Sequence, residues 1–276
     1  MPKCRRLPVH LVAAIAAIGV CSATAVAATI GGDDGPNRLI GTPEADAIHA
    51  LGGDDRVRSL AGDDDVHAGG GNDRVRAARG NDRVQGWAGD DWLWGGIGAD
   101  TLVGDVNEAG DRFSRDLLRG GRGPDTLRGG DAHDRILGGP DDDTSSGESG
   151  PDLVIGGPGD DSQAGGPGND RIFANHGRDV TDGGPGDDDL WALLRRDVTG
   201  PGDIAGDVIR GGDGNDRIRV RDGELDVIGC GPGFDVVILD FADAIEGAAP
   251  AAPNGDCERV RRAPPRAGDD RREGDG

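Results

Sequence analysis

The feature that most constrains this chain is a period. Aspartate recurs every nine residues at Asp46, Asp55, Asp64, Asp73, Asp82, Asp91 and Asp100. After an insertion the same spacing resumes at Asp116, Asp125, Asp134, Asp143, Asp152, Asp161, Asp170, Asp179 and Asp188. A second insertion precedes Asp207 and Asp216, and one extra residue precedes Asp226 and Asp235, so twenty aspartates keep one register. Self-similarity at a short fixed period marks a repeat architecture, in which stacked units bury a core that no unit could bury alone. Composition without this order would read as disorder: the chain is 34% hydrophobic, has a net charge of −22, and contains 53 glycines and no tyrosine.

Glycine tends to stand two residues before the aspartate, at Gly53, Gly62, Gly71, Gly80, Gly89, Gly98, Gly123, Gly150, Gly159, Gly168, Gly177, Gly186 and Gly214. Two residues after it comes an aliphatic side chain, as at Ile48, Val57, Val66, Val75, Leu93, Leu102, Leu127, Ile136, Val154 and Ile172. The unit is G-G-x-G-x-D-x-U-x, cleanest in GGIGADTLV, GGRGPDTLR and GGPGNDRIF. Six Gly-rich residues can turn through left-handed backbone and form a tight loop. The remaining x-U-x is a three-residue strand with only U facing inward. Two units then make one coil of eighteen residues. The exceptions at the inward position, Ser145, Gln163 and Thr181, are themselves eighteen apart, which places a polar rung on one sheet while Val154, Ile172 and Leu190 stay apolar on the other.

The nonapeptide resembles the RTX, or haemolysin-type, calcium-binding repeat over about residues 37 to 238. The resemblance implies an all-β fold, a right-handed parallel β-roll or β-solenoid of about ten coils, on the order of 50 Å long at the usual strand spacing. It also implies calcium between consecutive loops, held by the register aspartates and by carbonyls of the Gly-rich turn. Calcium takes six to eight oxygens, and the repeat offers carboxylates and backbone carbonyls together. Loops eighteen residues apart share an edge: Asp46, Asp64, Asp82 and Asp100 on one, and Asp55, Asp73 and Asp91 on the other. Counted within each uninterrupted block, the gaps between stacked loops give up to about twelve ions. Their charge nearly cancels that of the chain, so folding and calcium binding are expected to be coupled. Where Glu44, Ser114, Ala132, Asp141, Ala205 and Glu224 replace the glycine, weaker loops are expected. EF-hands are excluded by scarce glutamate and by glycine too dense for flanking helices.

Residues 1–27 read as a secretory signal peptide: Lys3, Arg5 and Arg6, the apolar run LVAAIAAIGV, then A-x-A sites. That run is too short for a transmembrane segment, and Val20 before Cys21 argues against lipoprotein processing. Removal of this leader takes the charge to −25 and leaves Cys230 and Cys257, which in an exported chain suggest one disulfide. Residues 28–36 read as a leader linker and 37–242 as the roll, with insertions near 105–115 and 192–206. Residues 243–262 read as a disulfide-tied C-terminal cap, and 263–276 as a disordered tail. Asn37 to Ile40 keep the register with Asn for Asp and read as an N-terminal capping rung. These features place the protein outside the cell or at its surface.

No H-E-x-x-H, G-x-S-x-G or P-loop is present, and no nucleophile pattern surrounds the histidines. A non-catalytic structural role at the surface or in the matrix is therefore expected. Outward positions of one sheet carry Arg56, Arg58, Arg74, Arg76, Trp92 and Trp94. This ladder either covers the sheet and balances acidic edges or binds a cell-surface glycan or protein, as a calcium-dependent adhesin would. Nucleic acid is disfavoured by the overall acidity.

Overall fold

The computed structural model describes residues 26–105, 114–192, 206–221, 223, 225–247 and 256–264. The chain is an all-β parallel β-solenoid of about eleven turns. Its strands fall alternately into two twelve-stranded sheets, and every strand pair is parallel. Sheet A begins with Thr29–Gly31, Ala47–His49 and Asp65–Gly70; sheet B begins with Arg38–Ile40, Arg56–Ala61 and Arg74–Arg79. The described residues contain no helix. Most of the leader, most of both insertions and the tail beyond 264 lie outside the described residues.

Most coils place one aliphatic side chain from each sheet between the two layers. Ile48, Val66, Leu102 and Leu127 come from sheet A, Leu39, Val57, Val75, Leu93, Leu118 and Ile136 from sheet B, and all are buried. The polar rungs fall where the eighteen-residue coil puts them, with Ser145 beside Gln163 and Gln163 beside Thr181 in sheet A. All three are buried; Thr181 Oγ1 donates to Gln163 Oε1 at 2.9 Å, while Ser145 Oγ has no partner.

Many strands are longer than the expected three residues. Leu117, Leu118 and Arg119 pair with Trp92, Leu93 and Trp94, and Gly121 and Arg122 then pair with Gly96 and Ile97. Because successive loops are congruent, their backbone amides and carbonyls meet as well as those of the strands. The loops need left-handed backbone that glycine supplies: Gly150 has φ +131°, and a Cβ there would stand 1.4 Å from the Ala132 carbonyl oxygen. Ala132 and Asp141 nonetheless keep the left-handed turn, at φ +84° and +86°. These two expected weak loops therefore retain their shape at a cost of about 1–2 kcal/mol each. Ala205 and Glu224 lie outside the described residues.

The stack extends beyond both expected boundaries. Thr29–Gly31, in the segment read as a leader linker, is a strand paired with Ala47–His49. Arg38–Ile40 is thus the second rung, and Ile30 closes the N-terminal end of the core beside Leu39. At the other end Arg259–Arg262 pairs with Val236–Leu239, held close by the Cys230–Cys257 disulfide.

Candidate metal centre

The register aspartates are buried at the two edges of the roll, and each makes the same inter-coil bond. Asp64 Oδ1 accepts the Asp46 N–H at 2.8 Å, Asp73 Oδ1 the Asp55 N–H at 2.7 Å, and Asp152 Oδ1 the Asp134 N–H at 2.7 Å. The ladder crosses both insertions without a break. Asp116 Oδ1 accepts from Asp91 and Asp125 Oδ1 from Asp100, each at 2.8 Å. Asp207 Oδ1 accepts from Asp179 at 2.8 Å and Asp216 Oδ1 from Asp188 at 2.9 Å. Each edge is therefore one continuous column of ten register aspartates, where the sequence suggested separate blocks. An insertion lengthens a coil while leaving the loops on either side of it in contact; Ser114 Oγ donates to Asp105 Oδ2 at 2.6 Å across the neck of the first.

The second carboxylate oxygen distinguishes these aspartates from ordinary caps. At every register position from Asp55 to Asp188, and at Asp216 and Asp235, Oδ2 is buried with no hydrogen-bond donor. It also faces another acceptor. A Cβ built on Gly120 would stand 2.3 Å from Asp125 Oδ2 and 2.7 Å from the Gly138 carbonyl oxygen. The same pair of contacts recurs at Gly129, with Asp134 Oδ2 and the Gly147 oxygen, and at Gly147, with Asp152 Oδ2 and the Gly165 oxygen. Buried oxygens of like polarity around an open space lack a positive group between them. Hard oxygen donors of this kind suit calcium.

The electrostatics carry the same message. Burial first, then neighbouring carboxylates, push Asp116 and Asp179 up to about 9, and Asp91 and Asp152 up to about 8, against the lowering effect of the backbone bond. Asp82, Asp125, Asp143, Asp161, Asp188 and Asp216 rise to about 7 and Asp55, Asp73, Asp100 and Asp170 to about 6, mainly by burial. A nearby cation would reverse these shifts.

The positions are not equivalent. At Asp46, Thr42 serves both oxygens, its N–H donating to Oδ2 at 2.5 Å and its hydroxyl to Oδ1 at 2.9 Å. Ala50, Ser59, Ala68, Ala77 and Ala174 stand five residues before Asp55, Asp64, Asp73, Asp82 and Asp179, so a side chain occupies the side that glycine leaves open elsewhere. Beside Asp161 the Gln163 amide nitrogen would lie 2.0 Å from a Cβ on Gly156, inside the same space. Open cradles remain at Asp91, Asp100, Asp116, Asp125, Asp134, Asp143, Asp152, Asp170, Asp188 and Asp216.

Sequence reasoning missed a second, outer ladder. The residue just before the register aspartate is often Asp or Asn, and its Oδ1 accepts the N–H of its counterpart in the next coil. Asp54 accepts from Asn72, Asn72 from Asp90, and Asp160 from Arg178, each at 2.8–2.9 Å. The signal was visible in the repeated G-N-D and G-D-D. Also missed were the ends of the inner columns, where the Asp235 N–H donates to Glu258 Oε2 at 2.8 Å and the Asp226 N–H to Asp243 Oδ1 at 3.4 Å.

Among curated proteins no sequence matches the chain. The RTX calcium-binding nonapeptide repeat matches residues 31–66, 67–102, 114–145, 137–162, 155–190 and 201–224, covering well over half of the length. Its segments coincide with the coils that carry the orphaned aspartates. The chain therefore belongs to the RTX calcium-binding nonapeptide repeat family.

Proposed function

We propose that this is a secreted, non-catalytic protein whose roll forms when calcium occupies its edges. One observation carries the reading: columns of buried carboxylate oxygens face backbone carbonyls with no donor between them. The register aspartates would supply Oδ2, and the first glycines of neighbouring loops their carbonyls, as at Asp134 and Gly147. Bound calcium supplies the positive charge that the site lacks. Oδ1 meanwhile holds the amide of the preceding coil, so each carboxylate both spaces the coils and presents one oxygen to the cradle.

The ten open cradles set the stoichiometry at about ten ions, fewer than the gaps between loops and near the sequence count of about twelve. The filled positions lie mostly in the N-terminal coils, where alanine or serine lines the edge. Export is supported by the leader at 1–27 and by the Cys230–Cys257 disulfide, which suits an oxidising compartment. Calcium titration calorimetry with circular dichroism in the same samples tests the reading. The expected result is a largely unstructured chain in chelator that gains β structure as about ten ions bind. Identical spectra in chelator and in millimolar calcium would refute it.

A further inference from the structure

The outer face of sheet B is basic on an acidic protein. Its outward positions carry Arg38, Arg56, Arg58, Arg74, Arg76 and Arg119 in the first coils, and the one acid among them along the whole sheet is Asp189. The residues run in register columns: Arg58, Arg76, Trp94 and Arg119 in one, and Arg79, Ile97 and Arg122 in a second. Between the columns lies an open groove of about 840 Å³. Its lining comes from six strands that are consecutive neighbours in the sheet, Arg56–Ala61 through Leu153–Pro158. The groove therefore runs along the stack, for about 24 Å at one strand spacing per coil.

Arginines in adjacent rungs repel one another. Among the described residues none of Arg58, Arg76, Arg79, Arg119 and Arg122 pairs with a carboxylate, whereas Arg115, Arg128 and Arg219 do. The register carboxylates that could have balanced them are aimed into the loops. Arg74 and Arg76 instead lie over the Trp92 and Trp94 rings, at 4.9 and 4.6 Å, and both indoles stay substantially exposed.

We propose that this groove binds a linear anionic polysaccharide, one that presents a carboxylate on its sugar rings. Guanidinium forks match carboxylates bidentately, and their repeat of about 4.8 Å per coil is close to the length of one pyranose ring. The Trp94 indole, covered by Arg76 on one face but still 41% exposed, offers apolar surface to a sugar ring. The concave, axial shape fits a polymer chain better than a flat lipid surface. Single-stranded nucleic acid needs an aromatic platform for successive bases, and the groove holds one indole among five arginines. In one respect the inference rests on the calcium reading: filled edges would lower the negative potential that keeps a polyanion away.

The test is calorimetry of the full chain in millimolar calcium, with circular dichroism on the same samples. The probes are hexameric oligogalacturonate, maltohexaose and a single-stranded hexanucleotide. The hexuronate is expected to bind and the neutral sugar to give no heat. Arg76→Gln/Arg119→Gln should weaken the hexuronate by on the order of tenfold or more, and Trp94→Ala should weaken it with the charge intact. Both variants alter exposed positions, and both are expected to take up calcium as the parent does. A folded, calcium-loaded chain that ignores the hexuronate would overturn the proposal, as would equal binding by the double variant or tighter binding of the oligonucleotide. A dimer that the same substitutions dissolve would assign the groove to a second copy. Failure of calcium to fold the chain would instead count against the calcium reading, and it would be seen in the spectra before any saccharide is added.

Discussion

Asp91→Asn is expected to change the sign of its effect with calcium. Asp91 is fully buried; its Oδ1 accepts the Asp73 N–H at 2.8 Å, and its own N–H donates to Asp116 Oδ1 at 2.8 Å. Its Oδ2 has no donor, and a Cβ on Gly86 would stand 2.2 Å from that oxygen and 2.9 Å from the Gly104 carbonyl oxygen. Burial, with help from Asp73, Asp105 and Asp90, lifts the carboxyl from 3.8 to about 8. At pH 7 the unfolded side chain is ionised and the folded one protonated, so calcium-free folding takes up a proton at a cost of about 2–4 kcal/mol. Asparagine keeps the Oδ1 acceptor, carries no charge and replaces Oδ2 by an amide that can donate to the facing carbonyl. In chelator, with folding driven by trimethylamine oxide, the variant should be more stable than the parent by that amount. In calcium at about 1,000 Kd the order should reverse, since losing the site then removes about 4.1 kcal/mol, more than that advantage. Circular dichroism follows both transitions. Lower stability in both conditions would mean that the carboxylate carries no charge penalty, and higher stability in both would mean that it is no ligand. Asp90→Asn is the control: its exposed Oδ1 accepts the Arg115 N–H at 2.9 Å, and no reversal is expected.

The register aspartates as a group dictate an inverted pH dependence. Their folded pKa values are raised, to about 6 at Asp55, about 7 at Asp82 and about 9 at Asp116, so the calcium-free roll holds more protons than the unfolded chain. That contribution is fully present below about pH 4 and is lost as pH rises through the folded values. The chelated chain should gain β structure on titration from about pH 8 to about pH 5, and the calcium midpoint should rise over the same range as protons compete; more order at the higher pH in chelator would contradict this. Backbone strain gives an independent pair of tests: Ala132→Gly relieves a left-handed alanine and should add about 1 kcal/mol. Gly150→Ala, whose Cβ would meet the Ala132 oxygen at 1.4 Å, should prevent that coil from stacking, and urea melts in calcium read both.

The coil, the sheets and the inward row of aliphatic residues were legible because all three follow from one period. Ser145, Gln163 and Thr181 were the sharpest sign, since only an eighteen-residue coil puts them side by side in one sheet. The outer Asx ladder was present in the letters but not in the reasoning, because nothing in a single unit says that the residue before the aspartate meets its counterpart in the next coil. The insertions misled for a related reason. Sequence spacing breaks at Asp100 and at Asp188, yet loop contact depends on distance across coils, and the columns continue at separations of 25 and 28 residues. Thr42 beside Asp46 and Gln163 beside Asp161 could not be read at all, as both depend on where a side chain that departs from the consensus points.

The two ladders run in opposite directions, and this bears on the proposed need for an ion. Along the inner columns each coil gives its amide to the carboxylate of the following coil, as Asp134 does to Asp152. Along the outer columns each coil gives its amide to the preceding one, as Asn72 does to Asp54. No coil is satisfied alone, so stability must accumulate by stacking, as in a one-dimensional array. Most steps nevertheless leave one inner carboxylate oxygen buried without a donor, and two inward side chains per coil are a thin core to set against that cost. An uncharged donor at each site would relieve the penalty and give a roll that folds in any medium; Thr42 does this at Asp46. Where the cradle is left open, the same geometry leaves the penalty in place, and on the proposed function a cation would relieve it.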